Sequence, residues 1–216
     1  MLLTFDTATP LVTVALHDGD EVVRELVSEL PMRHGEQLAP LVDTALREQG
    51  LVRQDLTAIG VGVGPGPFTG LRVGLVTART LAYALEIPVY GVCTLDVLAV
   101  EAADSGAVAG PFAVATDARR KEVYLATYDA DGVRLDGPVV DRPAELAAGL
   151  AAGLPVVGEG AVLYPEAFPD AVGPTRPSAG WLARVIAEER AELRDPEPLY
   201  LRRPDAVAPG TPKKVS

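Results

Sequence analysis

Residues 56–86 read LTAIGVGVGPGPFTGLRVGLVTARTLAYALE. The stretch 56–63 is apolar enough for a strand buried on both faces. It runs into a Gly/Pro loop, 64–70, and then into a helix predicted over 71–86, which Pro88 ends. A strand, a glycine-rich turn and a helix N-terminus in this order make an α/β layer. They also expose backbone N–H groups at the positive end of a dipole, a geometry that suits a phosphate. The known phosphate signatures nevertheless fail. A dinucleotide fingerprint begun at Gly62 needs glycine at position 67, where Pro67 stands, and a P-loop needs Lys then Ser/Thr after its last glycine, where Leu71 and Arg72 follow Gly70. The plain alternative, a rigid strand-to-helix turn, stays open.

Upstream, 2–5 and 11–16 are apolar runs, Asp18-Gly19 signals a hairpin, and 21–27 reads as a third strand. Leu38, Leu41, Val42, Ala45 and Leu46 then fall at helical spacing, predicting a helix over 35–49 that Gly50 stops. Downstream, 89–92 reads as a strand and 95–103 as a short helix. The small-residue stretch 104–111 is the expected boundary between two lobes. The second half then echoes the first: 112–116 is an apolar run ending in Asp117, which lies 111 positions after Asp6. The same offset maps Val12, Val14 and Leu16 onto Val123, Leu125 and Thr127, close to a second hairpin signal at Asp131-Gly132. A helix over 144–154, a strand over 155–158 and an amphipathic helix over 178–193 complete the pattern.

Composition narrows the function. With 48% apolar and 23% charged residues the chain has the make-up of a globular protein, not a disordered one. A net charge of −11 disfavours a protein that grips phosphate backbones alone. Cys93 is the one cysteine, which excludes a disulfide framework or thiolate metal site and fits a reducing compartment. The start, MLLTFDTATP, has no basic n-region, so no signal peptide is expected. The longest uncharged run, 56–71, holds five glycines and two prolines and falls short of the roughly 18 apolar residues of a membrane span. The expected setting is cytoplasmic, with no membrane contact.

Asp6 and Asp117 each end the first strand of a half. They either face a shared cleft and handle a nucleotide through metal or water, or serve as strand-end turn residues. His34 opens a helix, but a metal site on that face wants a second ligand at 38, which is Leu38. No metal site is therefore expected. No G-x-S-x-G elbow exists, and Cys93 reads as packing. In the helix 71–86, Leu71, Leu75, Val76, Leu81, Ala82 and Leu85 cannot all face one sheet, and Gly70 and Gly74 would let another backbone approach closely. Its second face needs either a partner or a cover from its own domain.

FDTATPLVTVAL, RHGEQLAPLVDTAL, GVGPGPFTGLRVGLVTARTLA, ATDARRKEVYLATY and PLYLRRPDA, in this order, resemble the TsaB (YeaZ) family across about residues 1–206. Residues 64–74 are the specific part. That family is the non-catalytic partner subunit in making threonylcarbamoyl-adenosine on tRNA, and it is related to the catalytic TsaD subunit and, distantly, to actin and sugar kinases. The resemblance thus implies an α/β, two-lobed actin-like ATPase fold, each lobe a mixed sheet with flanking helices. It implies an N-terminal lobe 1–105, a C-terminal lobe 106–206 and a disordered tail 207–216. It also implies a TsaD-like partner, a TsaE-like ATPase joining the pair, a homodimer when alone, and tRNA met only through the complex. The partner contact would use Leu38, Leu41, Gly70, Leu71, Gly74, Leu75 and Leu85. Asp6, Gly64, Gly66, Thr69 and Asp117 would line a reduced cleft that needs no cofactor, with weak ATP or ADP binding left open. Two features set this chain apart: Pro67 stands where the family loop usually carries serine, and Leu38 stands where the catalytic relative has the second histidine of its metal pair. The rival readings are an active small-molecule kinase or ATPase of the actin-like superfamily and a metallopeptidase.

Overall fold

The computed structural model describes residues 1–202. The tail expected over 207–216, and the last residues of the expected second lobe, lie outside them. Two five-stranded sheets are built on one plan. In the first, β1 (Leu2–Asp6), β2 (Thr13–His17) and β3 (Val22–Val27) form an antiparallel meander, and β4 (Ala58–Gly62) and β5 (Val89–Val92) add in parallel beyond β1, giving the order β3-β2-β1-β4-β5. In the second, β6 (Phe112–Asp117), β7 (Val123–Tyr128) and β8 (Arg134–Asp141) repeat the meander. The two-residue strands β9 (Val156–Val157) and β10 (Ala171–Val172) repeat the parallel pair. The expected duplication is thus present in topology. Its register slips by one: Asp6 pairs with Thr13 whereas Asp117 pairs with Val123, so the turn 7–12 is a residue longer than 118–122.

The first sheet is covered on both faces, which is why its strands carry apolar and small residues at successive positions. On one face Leu3, Phe5, Leu16, Ile59 and Val61 pack under α1 (His34–Glu48) and α2 (Phe68–Leu85). On the other, Thr4, Asp6, Thr13 and Gly60 lie under α3 (Thr94–Asp104) and α6 (Ala179–Ala187), where Val97 and Val100 meet Leu182, Val185 and Ile186. Gly60 is required there: a Cβ would run into Ile186 and Thr4. The second sheet carries α4 (Pro143–Ala148) and α5 (Glu159–Leu163). The division 1–105 and 106–206 therefore needs one correction. Helix α6 crosses back to the first sheet, tied by the Thr4 hydroxyl donating to the Ala179 carbonyl at 2.7 Å. Strand β8 had no counterpart in the sequence reading, and the helix expected over 144–154 begins at Pro143 but ends at Ala148, well short of residue 154. No helix of the described residues is long and apolar enough to cross a membrane.

Candidate functional site

Strand β1 ends at Asp6, which is 2% exposed. Its Oδ1 accepts the Ala8 N–H at 2.6 Å and its Oδ2 accepts the Thr94 hydroxyl at 2.7 Å. Thr94 in turn accepts the Gly64 N–H at 3.3 Å and donates its own N–H to the Gly64 carbonyl at 2.8 Å. One carboxylate thus knots β1, the glycine loop and the start of α3. Burial pushes the Asp6 carboxyl above its ordinary range, against the pull of the Ala8 N–H, the Thr94 hydroxyl and nearby His34. His34, buried at the start of α1, places Nε2 2.7 Å from the Thr9 carbonyl, so that nitrogen is the protonated donor. It fixes the turn after β1 rather than a metal.

The glycine loop receives that same turn. A Cβ on Gly66 would sit 2.5 Å from the Ala8 carbonyl, and Cβ atoms on Gly70 and Gly74 would strike the Thr7 carbonyl and hydroxyl. The Thr7 hydroxyl already donates to the Gly70 carbonyl at 2.8 Å. Around Gly66 the chain's own backbone packs closely, and the Gly64 N–H is already given to Thr94. Thr69 is exposed on the outside of α2. Asp117 belongs to a different setting. It accepts the Arg119 N–H at 2.9 Å and pairs with the same residue's guanidinium at 3.2 Å, within a turn where Arg119, Arg120 and Lys121 all have left-handed φ of 56–62°. Asp6 and Asp117 share no hydrogen-bonding partner among the described residues. Among the described residues no three His, Cys, Asp or Glu side chains are grouped to hold a metal ion. Burial pushes the Cys93 thiol up to about 12, with Asp96 adding to it, so it is inert as a nucleophile.

The expected contact helix also needs correcting. Leu38, Leu71 and Leu75 are buried in the chain's own core, Leu41 and Leu85 are half-buried against it, and Gly70 and Gly74 are covered by Thr7. The side chains α2 offers outward are Thr69, Arg72, Val76, Arg79, Thr80 and Tyr83, with Val76 62% and Tyr83 88% exposed. At its first turn Phe68 stacks on Tyr200 with ring centroids 5.3 Å apart, and Arg72 lies 3.8 Å over the Phe68 ring. Arg79 reaches Glu197 at 2.7 Å, and the Leu199 N–H donates to the Val63 carbonyl at 2.9 Å. The segment after α6 thus borders this face. Sequence reasoning missed Thr94, Thr7 and the Phe68–Tyr200 pair; only the strip of outward residues at positions 69, 72, 76, 79 and 83 had a local signal, its helical spacing.

Comparison with known proteins follows this geometry. Residues 27–171 match the family described as TsaD: tRNA N6-adenosine threonylcarbamoyltransferase. An uncharacterized protein of Mycobacterium tuberculosis is 44% identical over 210 residues, 95% of this chain and 93% of that protein. The tRNA threonylcarbamoyladenosine biosynthesis protein TsaB of Bacillus subtilis is 34% identical over 146 residues, 68% of this chain and 62% of its own length. The solved structure of YeaZ from Pseudomonas aeruginosa superposes with a TM-score of 0.74 at 32% identity, covering 93% of this chain and 99% of that one. The two mixed sheets with flanking helices are those of the actin-like ATPase fold.

Proposed function

The chain belongs to the TsaB/YeaZ family, and from that premise we propose that it acts in tRNA threonylcarbamoyladenosine biosynthesis as a subunit that does no chemistry of its own. It pairs with a TsaD-like catalytic subunit through the outer face of α2 and the neighbouring α1, and the pair takes up a TsaE-like ATPase. Alone, it uses the same face to form a homodimer. The carrying observation is the α2 stripe: Val76 and Tyr83 project from a helix whose inner side is already satisfied. The closed Asp6 knot supports the non-catalytic half of the reading, because a kinase or ATPase needs an acid free to position a metal. With a net charge of −11, tRNA is met through the partner.

The test is co-purification with the TsaD homologue of the same organism. Tyr83→Glu and Val76→Glu should fold and bind that partner at least about thirtyfold more weakly, as loss of a hot spot does. Leu75→Glu should fail to fold, because it places a charge in the core. If both surface variants pull down the partner as the unaltered chain does, the interface lies elsewhere. ATP turnover by the chain alone of about 1 per second or faster, lost in Asp6→Ala, would establish an enzyme instead.

A further inference from the structure

The outer side of α2 carries charge of one sign. At 3.6 residues per turn, positions 68, 72, 76, 79 and 83 fall within an arc of about 80°, so Phe68, Arg72, Val76, Arg79 and Tyr83 form one strip along the helix. The eighteen residues of α2 include two arginines and no carboxylate, in a chain with 30 acidic residues. The two arginines differ. Arg79 is offset by Glu197 at 2.7 Å. Arg72 is exposed, lies 3.8 Å over the Phe68 ring and has no carboxylate partner among the described residues. The Phe68 ring is itself stacked on Tyr200, so the guanidinium rests on an aromatic ledge in a defined place. Glu86, the cap of the helix, lies about 21 Å farther along the axis, out of reach of Arg72.

A charge of one sign treats two kinds of partner differently. A two-fold contact centred on α2 sets the strip against its own copy. Like charges then approach each other, and no residue of the strip answers Arg72. A different subunit is under no such constraint, and one carboxylate opposite Arg72 makes a charge-assisted pair. Like-charge juxtaposition is a means by which an interface rejects the wrong partner.

Resting on the reading that the outer face of α2 is the subunit contact, we propose that Arg72 sets the choice of partner. The face is matched to a catalytic subunit that presents a carboxylate opposite Arg72, and a second copy of this chain is the poorer occupant. The acid-bearing partner therefore displaces the homodimer. Val76 and Tyr83 give contact area to both assemblies, so they add strength without discrimination.

Two dissociation constants test this on the full chain: that of the homodimer by sedimentation equilibrium, and that of the complex with the same organism's TsaD homologue by titration calorimetry. The complex should be at least about tenfold tighter than the homodimer. Arg72→Gln should weaken the complex about tenfold and tighten the homodimer about threefold, effects of opposite sign. Arg72→Lys keeps the charge without the planar group and should leave both constants within about threefold. Raising NaCl from about 0.05 to about 0.5 M should act as Arg72→Gln does, by screening both interactions. Because Arg72 is exposed, the melting temperature of each variant should stay close to that of the unaltered chain. Tyr83→Ala is the control for the face itself and should weaken both assemblies. Full binding in Tyr83→Ala removes the proposed interface and this inference with it. Weak binding in Tyr83→Ala beside an unchanged complex in Arg72→Gln removes only the charge assignment. Three other results overturn it: a homodimer tighter than the complex, an Arg72→Gln that weakens both assemblies, as pairing of Arg72 with Asp43 of the copy would produce, or an Arg72→Lys that loses as much as Arg72→Gln.

Discussion

The turn after β1 and the turn after β6 hold the same place in two sheets of the same strand order, and their surroundings could hardly differ more. Residues 7–9 are walled in: Gly66, Gly70 and Gly74 press on Thr7 and Ala8, and His34 holds the Thr9 carbonyl. Residues 118–122 are largely open, and three consecutive basic residues there adopt left-handed φ. The second sheet has its own glycines after the strand beside the central one, Gly158 and Gly160. They press on Ala115 within β6, not on the turn beyond it. No long helix follows them; α5 has five residues where α2 has eighteen. Topology therefore fixes where a turn lies, while the neighbouring loop and helix decide whether it is closed. In this chain the closed end has become a structural joint.

Gly66→Ala attacks that joint most directly. The added Cβ meets Ala8 backbone atoms at 2.5 and 2.9 Å, which cannot swing aside as a side-chain tip would. Denaturant unfolding should show a loss of about 2–4 kcal/mol, in the range of overpacking against a fixed wall. Lys121→Ala, in the open turn, should stay within about 0.5 kcal/mol of the starting protein. Equal costs at the two positions would erase the contrast.

How much of this contrast was legible beforehand depends on the range of the contacts. The strand–loop–helix of 56–86 could be read because its signals are local: an apolar run, punctuating glycines and prolines, and a helical stripe. The same stripe could not say which side of α2 faces inward, since Leu71 and Leu75 sit on the core side and Val76 and Tyr83 on the other, all apolar or amphipathic. Asp6 looked like one half of a pair with Asp117, because symmetry of position was visible and the partner Thr94, 88 positions away, was not. The return of α6 to the first sheet rests on contacts such as Thr4 to Ala179, 175 positions apart, which leave no local trace. Strand β8 escaped notice because its sequence, RLDGPVVD, breaks alternation with Gly137-Pro138 and lies at a sheet edge with much of its length exposed.

The two aspartates give the next smaller difference. Asp6→Asn leaves the Thr94 hydroxyl without its carboxylate acceptor in a buried place, so a loss of about 1–3 kcal/mol at neutral pH is expected. Asp117→Asn trades a part-exposed ion pair with Arg119 for a neutral contact and should cost less than about 1 kcal/mol. The pH dependence separates them further. Because burial raises the Asp6 carboxyl, protonation favours the folded state. That contribution is fully present below the ordinary carboxylate range and is lost as pH rises through the raised value. The margin of the unaltered chain over Asp6→Asn should therefore shrink as pH rises from acid toward neutral, in urea melts at a series of pH values. A margin that widens over that interval would mean the carboxylate is net-stabilised by its hydrogen bonds, and that burial does not dominate.

The smallest effect should be a gain, and it belongs to the open turn. Lys121 is exposed and held at φ 62°, a region that costs a residue with a Cβ about 1–2 kcal/mol and costs glycine almost nothing. Lys121→Gly removes that strain but also loosens the unfolded chain, which takes back roughly 0.5–1 kcal/mol. The net expectation is a stabilisation of about 0.5 kcal/mol, seen as a small rise in the urea midpoint with no change in slope. The same substitution is unavailable to the closed turn, where Thr7 and Ala8 are gripped by their contacts and none of residues 7–12 has positive φ. There, Ala8→Gly should only destabilise, through lost packing against Gly66 and added freedom in the unfolded chain. Opposite signs for the two glycine substitutions would show that the first turn is held by its neighbours and the second by its own backbone. If Lys121→Gly destabilises as Ala8→Gly does, the left-handed residues are supported by contacts of their own, and the second turn is as much a built joint as the first.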